Sequence, residues 1–293
     1  MNITKKITSL VLTLLLLLPA VVYADETNVG KSFTCYGNDL TSEQFTTVVK
    51  LLGTDVGNDT LIAVTHEDEV SLLGNVVSAD KIGTRALSSA RVTLAGEGTG
   101  ISVTTHNITW VTPSMFSSAL TTAGVENAVI VVAAPMEVSG TAALAGILKA
   151  YEVAADKTLS AEAKEAAGSE MVLTGELSDL IGSEDAVELL AMVKQAIADY
   201  HLDDYNSLRP YVVEGAKQLG VELTEEQIDQ ITALGVKIAK LDLDPDKLAN
   251  SLNGFIDNIQ KIEKAKQSTQ SIFSGIKNAV QGFFSWIGSW FKK

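Results

Sequence analysis

The sequence has little cysteine, histidine and proline: one cysteine, three histidines and five prolines among 293 residues. A single cysteine excludes a disulfide framework, so the fold must rest on a hydrophobic core. With 46% hydrophobic residues, a chain of this length can form one. Cys35 lies in the apolar run SFTCY, which favours a buried small residue over a reactive thiol.

The sequence also lacks the short motifs that usually carry chemistry. It contains no Gly-x-Ser-x-Gly elbow, phosphate-binding loop, dinucleotide-binding glycine pattern or zinc-ligand spacing. The stretch VSGTAALAG, Val138–Gly146, is a small-residue turn from a strand into a helix. Such helix starts can bind anions, but we interpret this one as close packing. We therefore predict no cofactor and no metal site, and we favour a non-enzymatic protein.

The histidines support the alternative hypothesis, which is enzymatic. His66 lies in the acidic stretch VTHEDEV, which we interpret as a solvated loop at a strand end. His106 lies in THNITW, and His201 is expected to close a helix, where a cation is favourable. The alternative is an extracellular hydrolase or cation-dependent enzyme with a cleft near His66 or His106.

Positive charge is scarce in most of the chain. The formal net charge is −14. Residues 1–24 hold two lysines and no acid, so the charge without them is −16. Residues 271–293 hold three lysines and no acid, which leaves −19 for residues 25–270. A body this acidic is repelled by nucleic acid and by anionic membranes, although it can hold loose divalent cations.

The first 24 residues have the pattern of a secretory signal. Lys5 and Lys6 precede the apolar run Leu10–Leu18, and Val22-Tyr23-Ala24 fits a cleavage site. The apolar run is shorter than the roughly 20 residues of a membrane span. We expect segment 1–24 to be removed and the protein to be secreted.

The residue pattern changes near residue 155. Residues 25–155 alternate runs rich in Val, Ile and Thr with helical patterns, which predicts an α/β domain with a mixed sheet. Residues 156–270 predict an all-α domain whose helices begin at recognisable caps, such as the capping box at Thr224–Gln227 and the cap residues Ser160 and Ser183.

Two further patterns concern the α/β part. The turn-forming run GEGTG, between strands expected at Arg91–Ala95 and Ile101–Thr105, predicts a hairpin. The segment beginning at Thr41, TSEQFTTVVKLLG, opens with a capping box at Thr41–Gln44. It aligns with TPSMFSSALTTAG, in which Thr112 is expected to cap a helix that starts at Pro113. Both copies predict strand–helix–strand, a pattern consistent with a duplicated βαβ unit in one sheet.

Three stretches resemble a known family: GTRALSSARVTL, VTTHNITWVTPSMFSSALTTAGV and VVAAPMEVSGTAALAGILKAYE. They are similar to the YpuA-like family of secreted proteins from Gram-positive bacteria, a domain-of-unknown-function family. The resemblance is strongest from Ile82 to Glu152 and extends over most of the chain. It implies a cell-envelope or extracellular protein whose members tend to end in an aromatic amphipathic segment, and it supplies no catalytic residue.

The last segment, residues 271–293, is basic and aromatic in an otherwise acidic chain. On a helical wheel its large apolar side chains fall within an arc of about 160°, which predicts an amphipathic helix. Three hypotheses fit it: binding to an anionic membrane surface, docking on the chain's own helices, or association with an envelope protein or a second copy. The predicted binding residues are Ile272, Phe273, Ile276, Lys277, Val280, Phe283, Phe284, Trp286, Ile287, Trp290, Phe291, Lys292 and Lys293.

These patterns together predict a secreted cell-envelope protein. Its acidic body would act as a binding or structural module, and the basic aromatic segment would hold that body at a membrane surface.

Overall fold

A computed structural model describes residues 28–74, 82–241, 243–246, 248–249 and 252. These residues form five strands and eight helices, a mixed α/β architecture as predicted. In chain order they are β1 Ser32–Gly37, α1 Ser42–Leu52, β2 Thr60–Val64, α2 His66–Leu73, β3 Ser89–Leu94, β4 Ile101–Ile108, α3 Pro113–Thr122, β5 Ala128–Val138, α4 Thr141–Ala155, α5 Ala161–Ile181, α6 Ser183–Tyr200, α7 Tyr205–Leu219 and α8 Glu225–Ala239.

The strands form one mixed sheet in the order β2-β1-β3-β5-β4. The β1–β2 and β4–β5 pairs are parallel, whereas β3 is antiparallel to β1 and to β5. The prediction of two strand–helix–strand units in one mixed sheet is therefore confirmed. The predicted hairpin between β3 and β4 is wrong. Because β5 inserts between these strands, the glycine-rich connection spans a neighbouring strand instead of closing a tight turn.

Most of the helix caps predicted from the sequence are confirmed. Capping boxes at Thr41, Thr112 and Thr224 precede α1, α3 and α8, each with its reciprocal side-chain and backbone hydrogen bonds. Ser160 caps α5. The expectation that Ser183 caps α6 is wrong, because Gly182 is the cap residue and Ser183 is already helical.

Cys35 lies on β1, beside β3 in the sheet and in contact with α4. Its side chain is fully buried, and the thiol donates a hydrogen bond to the Ala90 carbonyl oxygen at 3.2 Å. Burial raises the pKa of the Cys35 thiol to about 12. A Cβ at Gly146 of α4 would lie 2.6 Å from Cys35 Sγ, so the missing side chain lets the helix pack closely. The prediction that Cys35 is a buried residue is confirmed.

The hydrophobic core continues across residue 155. Met171 and Val172 of α5 and Val187 of α6 belong to the same buried cluster as Phe116 of α3 and Ile130 of β5. A second cluster fills the space between helices α5 to α8. Of the helices in the described part of the chain, none is long and apolar enough to cross a membrane.

A buried polar cluster ties α3, α5 and α6 together. Lys194 and Glu170 are fully buried and pair at 2.8 Å. Lys194 Nζ also donates to the carbonyl and the hydroxyl oxygen of Ser118, each at 2.9 Å. The hydroxyls of Ser118 and Thr122 donate to the Glu170 carboxylate. Each charge in the cluster thus has an opposite charge and hydrogen bonds, the condition under which buried charges are tolerated.

Candidate functional site

A cleft opens at the carboxyl ends of the parallel strands β4 and β5. Its volume is about 470 Å³, in the range of small-molecule sites. The crevice outside the carboxyl ends of parallel strands is where open α/β sheets commonly bind ligands. Its walls come from α2, the segment before β3, and the connections after β4 and β5. Its lining includes Glu69, Ile82, Arg85, Leu87, Trp110, Val138, Ser139, Gly140, Thr141 and Ala142.

The turn from β5 into α4 forms the floor of the cleft. Gly140 precedes the helix with a φ of 99°, a conformation that L side chains rarely adopt. A Cβ there would also lie 2.5 Å from Ile108 Cγ2. Gly140 gives no side-chain cap to the free N–H groups of the first turn of α4. The sequence favoured close packing at this turn, and the structure adds a cleft in front of it.

Glu69 is a buried carboxylate residue in the lining of this cleft. The interpretation of VTHEDEV as a solvated loop is wrong. Thr65 and Asp68 form a capping box that starts α2 at His66, so this stretch is helical. The helix turns the Glu69 side chain into the protein, where the residue is only 1% exposed.

Only one of the two oxygens of the Glu69 carboxylate has a hydrogen-bond partner among the described residues. Its Oε1 accepts a hydrogen bond from Thr141 Oγ1 at 2.5 Å. Its Oε2 is buried and has no hydrogen-bond partner within the described residues. His66 Nδ1 lies 3.8 Å from Oε2, too far for a hydrogen bond. Burial raises the pKa of the Glu69 carboxyl, against the lowering effects of the Thr141 hydrogen bond and of His66.

Helices α2 and α4 are held together beside the cleft. Lys149 of α4 pairs with the Asp68 carboxylate at 3.2 Å and donates to the Ala63 carbonyl oxygen, also at 3.2 Å. Ser139 Oγ lies 3.1 Å from Thr141 Oγ1, which extends the polar contacts of Glu69 along the floor. The Asp68–Lys149 pair and the Glu69–Thr141 hydrogen bond therefore hold the first turn of α2 against α4 at two points, a requirement for a preformed site.

The three histidines do not converge. His106 is exposed on β4, opposite Ala133 of β5. His201 closes α6 in a left-handed conformation with a φ of 52°, as predicted. Only His66 lies beside the cleft carboxylate, and its Nδ1 has no hydrogen-bond partner among the described residues. Covalent catalysis requires a nucleophile hydrogen-bonded to a base. His66 Nδ1 makes no such hydrogen bond among the described residues.

Two predictions concern parts of the chain outside the described residues: the signal segment 1–24 and the binding segment 271–293. Among the residues that are described, no group of three or more His, Cys, Asp and Glu side chains could hold a metal ion.

The sequence contains a local signal for the burial of Glu69. Thr65 and Asp68 have the spacing of a capping box in front of an apolar pattern, and this spacing indicates a helix start. Placing the helix at His66 would have put Glu69 on the same face as Leu72 and Leu73, toward the core. The participation of Arg85 and Trp110 depends on tertiary packing, and no local pattern predicts it.

Comparison with known proteins places the chain in a family without assigning an activity. The family model described as "Protein of unknown function (DUF1002)" matches residues 36–255. The chain is also 37% identical over 278 residues to the uncharacterized protein YpuA of Bacillus subtilis (strain 168), with 92% of this chain and 95% of YpuA covered. No solved structure matches it. The chain belongs to the DUF1002 family of proteins of unknown function, in agreement with its resemblance to YpuA-like proteins.

Proposed function

We propose that this protein is a secreted cell-envelope protein that binds the anionic membrane surface through residues 271–293. The observation that carries the proposal is the distribution of charge. The segment has three lysines and no acid, whereas residues 25–270 carry a formal charge of −19. Each basic residue near an anionic bilayer contributes about 1 kcal/mol of attraction. The attraction must therefore come from the segment, because the rest of the chain is repelled.

The composition of the segment also favours an interface over a protein core. It contains two of the three tryptophans and four of the eight phenylalanines, and it has no leucine. Trp and Phe opposite lysine are typical of helices that lie in the plane of the headgroups. Lys277, Asn278 and Gln281 interrupt the apolar sequence, which disfavours a spanning helix.

Vesicle flotation tests this proposal. We expect residues 25–293 to float with phosphatidylglycerol-containing vesicles but not with pure phosphatidylcholine vesicles, because the lysines require anionic headgroups. Residues 25–270 should remain at the bottom of the gradient with both. A Lys277→Gln, Lys292→Gln, Lys293→Gln variant keeps the apolar face and should lose most of the binding. Equal flotation of the truncated chain would show that the segment is not the anchor.

A further inference from the structure

The cleft in front of α4 presents an unsatisfied acceptor. Glu69 lines the cleft, and its buried Oε2 lacks a hydrogen-bond partner among the described residues. A buried acceptor without a donor costs free energy that a suitable ligand can recover. A ligand that carries an ammonium or a hydroxyl group can supply the donor that Oε2 lacks.

The same cleft also presents positive groups. Thr141 and Ala142 form the first turn of α4, whose backbone N–H groups receive no side-chain cap from Gly140. The partial positive charge of a helix N-terminus favours an anionic group there. Arg85 lines the cleft as well, with an exposed side chain. Its planar guanidinium is suited to binding a carboxylate through two parallel hydrogen bonds.

These opposite charges select the kind of ligand. A simple anion would meet the Glu69 carboxylate, and a simple cation would meet Arg85 and the positive end of α4. A zwitterion can satisfy both sides without leaving a net charge in the cleft. Ile82, Leu87, Val138 and Trp110 supply apolar lining that suits an aliphatic side chain.

We propose that the cleft binds a free α-amino acid with an aliphatic side chain. The ligand ammonium donates to Glu69 Oε2, and its carboxylate accepts from Arg85 and from the first N–H groups of α4. The aliphatic side chain packs between Trp110 and the apolar wall. This site does not include residues 271–293, so the amino-acid proposal and the membrane-binding proposal can each be wrong without affecting the other.

Isothermal titration calorimetry of residues 25–293 with L-leucine tests the proposal. Two comparison ligands each lack one charge: 3-methylbutylamine has no carboxylate, and 4-methylpentanoate has no amine. We expect one molecule of L-leucine to bind per chain and each comparison ligand to bind at least tenfold more weakly. Equal binding of either comparison ligand, or no binding of L-leucine, would overturn the proposal.

Matched variants locate the binding to the cleft. Glu69→Gln keeps the shape of the side chain and the hydrogen bond from Thr141 but removes the charge, and we expect at least tenfold weaker binding. Arg85→Gln should have a similar effect, and its exposed position makes misfolding of this variant no concern. Arg209→Gln is the control, since Arg209 lies on α7 and pairs with Glu225. If Glu69→Gln does not fold, the affinity of Arg85→Gln for L-leucine tests the proposal by itself. If Glu69→Gln and Arg85→Gln bind L-leucine as tightly as the wild type does, the ligand does not bind in the cleft and the proposal is wrong.

Discussion

Replacing Lys194 by methionine is expected to lower the free energy of unfolding by about 3–5 kcal/mol, the cost of removing one partner from a buried ion pair. Methionine fills a similar volume but leaves the Glu170 carboxylate buried without its cation. The two remaining donors to Glu170, the Ser118 and Thr122 hydroxyls, cannot replace a full charge. Burial also lowers the pKa of Lys194, although the adjacent Glu170 opposes this shift. Urea denaturation measures the effect.

An exposed ion pair serves as a matched control for the effect of burial on the free energy of unfolding. Lys237 pairs with Glu165 at 2.7 Å, but the two side chains are 42% and 56% exposed. Lys237→Met should cost at most about 1 kcal/mol, since exposed pairs contribute little. Adding Glu170→Gln to Lys194→Met should recover part of the loss, because it removes the uncompensated charge. Equal costs for Lys194→Met and Lys237→Met would contradict the role assigned to this cluster.

Replacing Glu188 by glutamine is expected to stabilise the protein at alkaline pH. Glu188 is 9% exposed, and its Oε1 has no hydrogen-bond partner among the described residues. Burial, followed by the charges of Asp185 and Glu184, raises its pKa from 4.5 to about 7. The native state therefore keeps this proton between pH 4.5 and 7, where the unfolded chain has lost it. Consequently, this residue makes stability fall as pH rises through that interval.

The size of the effect follows from the shift. One pKa unit corresponds to about 1.4 kcal/mol, and partial solvent contact of the carboxylate reduces the total, so we expect about 2 kcal/mol. Glu188→Gln should thus be about 2 kcal/mol more stable than the wild type at pH 8 and nearly equal to it at pH 4. Thermal or urea unfolding at both pH values measures this. Glu226→Gln, on an exposed part of α8, is the matched control for the substitution itself. A stability gain that is the same at pH 4 and pH 8 would rule out the proposed titration.

Local rules predicted most of the elements but not how the strands are ordered. The boxes at Thr41 and Thr224 predicted helix starts because capping depends only on residues three positions apart. The GEGTG turn was misleading because turn chemistry permits a hairpin without requiring one. Strand order depends on which apolar strands pair, and β4 pairs with β5, for example through Val103 and Ile130. That choice is made by contacts between distant parts of the chain.

The polar groups of the interior were harder to predict than the apolar core. Lys194 lies within the helical run LLAMVKQAIA, four residues after Leu190 and four before Ala198, on a face that is otherwise apolar. That placement was a usable signal for a buried lysine with an acidic partner. Its partner, Glu170, cannot be identified from α5 alone, because the pairing depends on how three helices pack. The cleft was hard to predict for the same reason, because it forms only where four segments of the chain pack together.

Tryptophan fluorescence is the most direct measurement of the central claim, that residues 271–293 enter an anionic membrane surface. The truncated chain, residues 25–270, keeps Trp110 and provides the baseline, while the full chain adds Trp286 and Trp290. With phosphatidylglycerol-containing vesicles, we predict that the emission of the full chain shifts to shorter wavelength and is quenched by brominated lipid. The truncated chain should show neither change. A full-chain spectrum that stays unchanged when the vesicles are added would contradict the account.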